Sequence, residues 1–179
     1  MIVIEKNDYP VQYEDILVFP EYFLDYKNTY SLHSKLSKYK DNQINHYVVG
    51  VGKSYDPGYT SVLLLDKDLK IIGVRQKISI FWKEEVSQSL KLQAFPISEN
   101  RRIGIVICKE VLHTAIAEIY RMMNVNVVAV TLGSGDFWGL QRHSWIDQMT
   151  LFSDITQSPL ICSCGATKSE GGINLIIER

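Results

Sequence analysis

The chain has 179 residues, 46% hydrophobic and 22% charged, which fits one soluble globular domain spanning 1–179 and excludes wholesale disorder. With 19 Lys and Arg against 20 Asp and Glu, the net charge of −1 leaves no bulk positive grip for nucleic acid. No apolar run reaches the roughly 18 residues of a membrane span, the opening MIVIEKNDYP lacks the plan of a secretory signal, and three cysteines make no disulfide framework, so a cytoplasmic, reduced setting is expected.

In chain order, short runs rich in Val and Ile mark strands at 2–5, 16–19, 47–51, 61–65, 71–74, 103–107, 125–130, 160–162 and 173–177. They do not alternate strictly, the pattern of strands covered on both faces. A turn at 66–70 reads as a hairpin joining two of them. Helical stretches fall at 30–39, 111–123 and 144–155. The second places Leu112, Ala115, Ile116, Ile119 and Met122/Met123 on one expected apolar face. The third repeats Trp145, Met149, Phe152 and Ile155. Strands alternating with helices, with one hairpin, predict a layered α/β domain with a mixed sheet.

Three of the strands end in different chemistry. The run from Ile16 ends in Pro20-Glu21, the run from Ile71 in Arg75-Gln76-Lys77, and the run from Ile103 in Cys108. Alone, Glu21 is a loop carboxylate, Lys77 a solvated lysine and Cys108 a core cysteine. In α/β sheets, however, ligands collect beyond the carboxyl ends of strands, so the three groups can meet in one pocket. A thiol becomes a strong nucleophile when deprotonated, which a nearby base or cation favours. Glu21 has the chemistry to take that proton and return it to a leaving amine. Lys77 and the backbone N–H of Lys109 can hold charge on a tetrahedral intermediate. The helix expected near Val111 directs its positive end toward Cys108.

At these residues the sequence resembles the carbon–nitrogen hydrolase, or nitrilase, superfamily. The matching motifs are VFPE at Val18 to Glu21, RQK at Arg75 to Lys77, and GIVIC at Gly104 to Cys108. The resemblance implies an α-β-β-α sandwich with mixed sheets, often dimerised through its helical layer. It implies an amidase that cleaves a non-peptide C–N bond of an amide, carbamoyl or nitrile substrate through a Cys thioester. By that resemblance Glu21 is the general base, Lys77 the electrostatic stabiliser and Cys108 the nucleophile, and Glu84 is a second glutamate of the site. After the cysteine, Lys109-Glu110 keeps the family's acid and loses its aromatic. Little room remains before Glu21 for the family's first strand and helix, and nothing after Ile177 for its closing elements. A short member, incomplete at both termini, is therefore expected.

Lys109, Gly133 and Trp138 are further candidates for the substrate-binding rim. Cys162 and Cys164 face one side of a strand, and their C-x-C spacing is read as core packing rather than metal binding. The four histidines show no H-x-x-x-H pattern, and no metal or cofactor is expected. A Cys108–His143 thiol hydrolase accounts for neither VFPE nor Lys77. The expected partners are a small amide-type substrate and either further copies of the chain or a protein completing the fold, with no membrane or nucleic acid. The rival reading is a catalytically degenerate nitrilase-like module that binds a partner within a larger assembly.

Overall fold

The computed structural model describes residues 3–6, 10–25, 32–52, 60–78, 91–133, 142–165 and 174–179. These residues form two six-stranded mixed sheets. One sheet runs β1 (Val3–Lys6), β12 (Asn174–Ile177), β11 (Leu160–Cys164), β10 (Val127–Leu132), β9 (Arg102–Ile107) and β8 (Ala94–Pro96). Its centre, β9-β10-β11, is parallel, and its flanking pairs are antiparallel. The other runs β2 (Val11–Tyr13), β3 (Ile16–Val18), β5 (His46–Gly52), β6 (Ser61–Asp66) and β7 (Ile71–Gln76), with β4 (Leu24–Asp25) also pairing β5. The turn at 66–70 is the hairpin between β6 and β7. Three strands precede Glu21, so the N-terminal segment holds more of the fold than its length implies.

The period-2 pleat sorts the central strands between two environments. Ile103, Ile105, Ile107, Val127 and Ala129 pack inward against Val18, Val48, Val62 and Leu64 of the second sheet. Val106, Val128, Val130, Leu132 and Leu160 point outward, under α2 (Thr114–Met122) and α3 (Arg142–Thr156). On the far face, Phe19, Tyr47, Leu63 and Leu65 meet the short α1 (Leu32–Leu36). The result is a helix–sheet–sheet–helix stack. Burial on both sides explains why the strands read as continuous apolar runs.

The third helix buries Trp145, Met149 and Phe152, as its spacing predicts. The second differs from expectation in two ways. Cys108–Leu112 is a 3-10 turn, and α2 begins only at Thr114 because His113 is extended. Its buried residues are Ile116, Ala117 and Tyr120, whereas Leu112, Ile119 and Met122 are exposed. Tyr120 sets this rotation. Its ring lies where a Cβ on Gly104 would be, 2.9 Å away, and its hydroxyl donates to the Ile105 carbonyl at 2.6 Å. A buried aromatic with a satisfied hydroxyl outweighs a purely aliphatic stripe.

Candidate active site

The carboxyl ends of β3, β7, β9 and β10 converge. After β3, Phe19 donates its N–H to the Val48 carbonyl at 2.8 Å. The Glu21 N–H crosses to the other sheet and donates to the Leu132 carbonyl at 3.1 Å. Gly50 makes this turn possible. A Cβ there would lie 2.1 Å from the Pro20 oxygen and 2.5 Å from the Glu21 Cα, so no larger residue lets the turn lie across β5.

Lys77 follows β7 and keeps the ladder going, its N–H donating to the Thr60 carbonyl at 2.9 Å. Its Nζ donates to Glu21 Oε1 at 2.9 Å. Both side chains are buried, Glu21 at 1% and Lys77 at 5% exposure. Removing two charges from water is expensive, and either one without the other would be an uncompensated buried ion. Such a pair is a costly way to hold a fold and a useful way to hold reactive groups.

Cys108 ends β9 with φ at 53°. A non-glycine residue in the left-handed region costs of order 1–3 kcal/mol and persists only where its surroundings over-determine it. The bend from strand to 3-10 turn falls at this residue. Its pKa is pushed up from 9.0 to about 12. Burial is the largest cause, and the Glu21 carboxylate adds to it by charge and by hydrogen bonding; the Lys77 ammonium and the Gly133 backbone oppose them. Although a nearby cation favours deprotonation, burial and the carboxylate outweigh it here. The cysteine rests as a thiol beside a base.

Gly133 caps β10 against Glu21. A Cβ there would meet Glu21 Oε2 at 2.8 Å and the Tyr22 ring at 2.7 Å. Lys109 is half-buried in the turn after Cys108. The structure therefore gathers Glu21, Lys77, Cys108 and Gly133, with Lys109 adjacent. Glu84, Trp138 and the His143 side chain lie outside the described residues. His113 is exposed, and Cys162 and Cys164 are buried among the apolar residues under α3.

Sequence reasoning missed Gly50 and Tyr22, and it quoted Arg75 and Glu110 in motifs without giving them a role. Gly50 interrupts an apolar strand, and Arg75 and Glu110 are charges flanking apolar runs, so each left a signal. Tyr22, half exposed against Gly133, left none beyond its place next to Glu21. What the geometry offers is a buried base–cation pair against a strained, protonated thiol, an arrangement suited to nucleophilic acyl chemistry.

No family model matches the chain. Among curated proteins, the large ribosomal subunit protein uL3 of Rickettsia typhi is 30% identical over 99 residues, covering 55% of this chain and 44% of that protein. The uL3 of Rickettsia bellii is 31% identical over the same length. The chain thus spans less than half the length of the curated relatives it matches. Among solved structures, an amidase from Nesterenkonia sp. AN1 superposes with a TM-score of 0.71 at 13% identity, over 92% of this chain and 72% of that one. That structure shows acrylamide added at the amidase's active-site cysteine. The carbon–nitrogen hydrolase of Helicobacter pylori G27 gives 0.68 at 14% identity, over 92% and 70%. The chain has the nitrilase-superfamily fold. A glutamine-dependent NAD+ synthetase from Acinetobacter baumannii, of which the chain covers 35%, contains the same fold with a TM-score of 0.63. The two kinds of relative disagree. The fold follows the solved structures, which match 92% of the chain rather than 55%.

Proposed function

We propose that the protein is a carbon–nitrogen hydrolase of the amidase type, with Cys108 as nucleophile, Glu21 as general acid and base, and Lys77 as electrostatic stabiliser. The observation that carries this reading is Cys108 set beside the buried Glu21–Lys77 pair, with Nζ and Oε1 2.9 Å apart. Cys108 Sγ attacks the carbonyl carbon of an amide while Glu21 takes the thiol proton. The Lys77 ammonium and the Lys109 backbone N–H stabilise the oxyanion. Glu21 then protonates the leaving nitrogen, which departs as ammonia or an amine and leaves a thioester. Water, losing its proton to Glu21, opens the thioester to the carboxylic acid, and that proton returns to the Cys108 thiolate. Glu84 is assigned as a second glutamate supporting Lys77, and Gly133 and Trp138 to the substrate rim.

The test is ammonia release from a panel of small primary amides. Cys108→Ala and Glu21→Gln each abolish it, whereas persistent turnover in either variant rejects the assigned roles.

A second reading has one observation in its favour. Ile119 and Met122 are exposed one turn apart on α2, with Leu112 exposed in the turn before it and Leu151 exposed on α3. This exposure supports a partner on the helical layer, another copy or a larger assembly, in which the chain serves as a binding module. The balanced charge lends no support to a place in a large ribosomal subunit like that named for the uL3 relatives.

A further inference from the structure

Among the described residues, four charged side chains are buried: Glu21, Lys77, Arg75 and Glu110. The proposed chemistry uses the first two. The other two form a second ion pair, Arg75 Nη2 donating to Glu110 Oε2 at 3.1 Å, with both side chains at 1% exposure or less. A buried pair of this kind is often no more stabilising than an apolar one of equal volume, so its placement asks for another reason.

The remaining bonds of Glu110 supply it. Oε2 also accepts from the Ile107 N–H at 2.9 Å, and Oε1 accepts from the Ile78 N–H at 2.5 Å. Ile107 immediately precedes Cys108, and Ile78 immediately follows Lys77. Arg75, the third donor, stands two residues before Lys77. The strands that carry these segments belong to different sheets, β9 to one and β7 to the other, so no strand ladder joins them. One carboxylate therefore bridges the gap between the sheets at the residues adjoining those that carry the thiol and the ammonium. Arg75 also lies against Tyr120, whose hydroxyl is anchored on Ile105 of β9. The clamp is thus tied to the strand of Cys108 from two sides.

We infer that Arg75 and Glu110 are positioning residues that set the approach of Lys77 to Cys108. The inference rests on the reading of those two residues as stabiliser and nucleophile. A clamp that only stabilises the fold and a clamp that sets this approach differ in one measurable respect. Only the second makes the effect of Lys77 on the thiol depend on Glu110.

The experiment follows alkylation of Cys108 by iodoacetamide against pH, resolved from Cys162 and Cys164 by peptide mass spectrometry. It compares the full chain, Lys77→Met, Glu110→Gln and the double variant. The Lys77 ammonium favours the thiolate, so Lys77→Met slows alkylation at fixed pH, by about threefold or more once the greater nucleophilicity of the more basic thiolate is counted. In the Glu110→Gln background the same substitution is expected to slow it by no more than roughly twofold, the additivity error of independent sites. Equal slowing in both backgrounds overturns the inference, and so does a lower melting temperature with that slowing unchanged. No slowing by Lys77→Met in either background overturns the catalytic reading itself, and the clamp with it. If Glu110→Gln does not fold, Arg75→Lys replaces it under the same criteria, since it keeps the charge and loses the forked donor geometry.

Discussion

The resting state of Cys108 gives the sharpest test of how the site works. A thiol held at about 12 rather than 9.0 has its thiolate disfavoured by about 4 kcal/mol. At pH 8 an ordinary thiol of pKa 9.0 is about one-tenth ionised, whereas this one is ionised in about one molecule in ten thousand. The thiolate that does form is more basic and more nucleophilic, which with a Brønsted coefficient of ~0.4–0.5 recovers about 20- to 30-fold. Native Cys108 should therefore react with iodoacetamide on the order of tenfold to a hundredfold more slowly at pH 8 than the same cysteine in urea-denatured chain, and partial burial adds to the difference. The assay is time-resolved alkylation with peptide mass spectrometry, native against denatured.

Two variants fix the cause. Glu21→Gln removes the carboxylate that opposes the thiolate, so alkylation accelerates while amide hydrolysis is lost. Lys77→Met removes the opposing cation and moves alkylation the other way. The sign for stability follows from the same raised value. The thiol favours folding fully below its unfolded pKa near 9.0, and that contribution is lost as pH rises from there toward about 12. Native Cys108 reacting at neutral pH as fast as the denatured chain, or faster, would refute the reasoning. It would mean a preformed thiolate, for which Glu21 has no proton to remove from sulfur.

Two further outcomes follow from the geometry. Gly50→Ala places a methyl against backbone atoms of Pro20 and Glu21 that have no free end to swing away, so a loss of about 1–3 kcal/mol in urea melts is expected, with hydrolysis falling as Glu21 is displaced; an unchanged midpoint and activity would count against the close approach. Ile119→Glu puts a charge in the exposed apolar pair on α2, and light scattering should find an oligomer in the parent chain and a smaller species in the variant, with a monomeric parent removing the case for a partner on that face.

The strands and the meeting of the ends at Glu21, Lys77 and Cys108 were legible because both signals are local. A Val- and Ile-rich run bounded by polar residues identifies a doubly covered strand wherever it lies, and Glu21, Lys77 and Cys108 stand at the ends of such runs. The short strands β2, β4 and β8 were not legible, since two or three residues carry no period. The face of α2 was misread for a different reason. Counting apolar residues favoured the line through Leu112 and Ile119, whereas the packing partner, the bare backbone of Gly104, selected Tyr120. The thiol's shift was not legible either. Sequence order says that a cation is near Cys108 without saying that the carboxylate is nearer in effect and that both are sealed from water.

What sequence could not reveal is that the site depends on contacts between sheets. Gly50 allows the Glu21 turn to cross β5, the Leu132 carbonyl receives its N–H from the other sheet, and Glu110 joins the segments of Lys77 and Cys108. Gly50 and Leu132 are distant in sequence from Glu21 and act through backbone, which no side-chain motif records, whereas Glu110 stands two residues from Cys108 and its carboxylate reaches the Ile78 N–H, 32 residues away. The strained φ of Cys108 belongs to the same set, since such strain persists only where surrounding bonds over-determine it, and the bond from Ile107 to Glu110 is one of them. The residues at the strand ends are therefore the readable part of the candidate site, and the spacing among them is a property of how the two sheets close on each other.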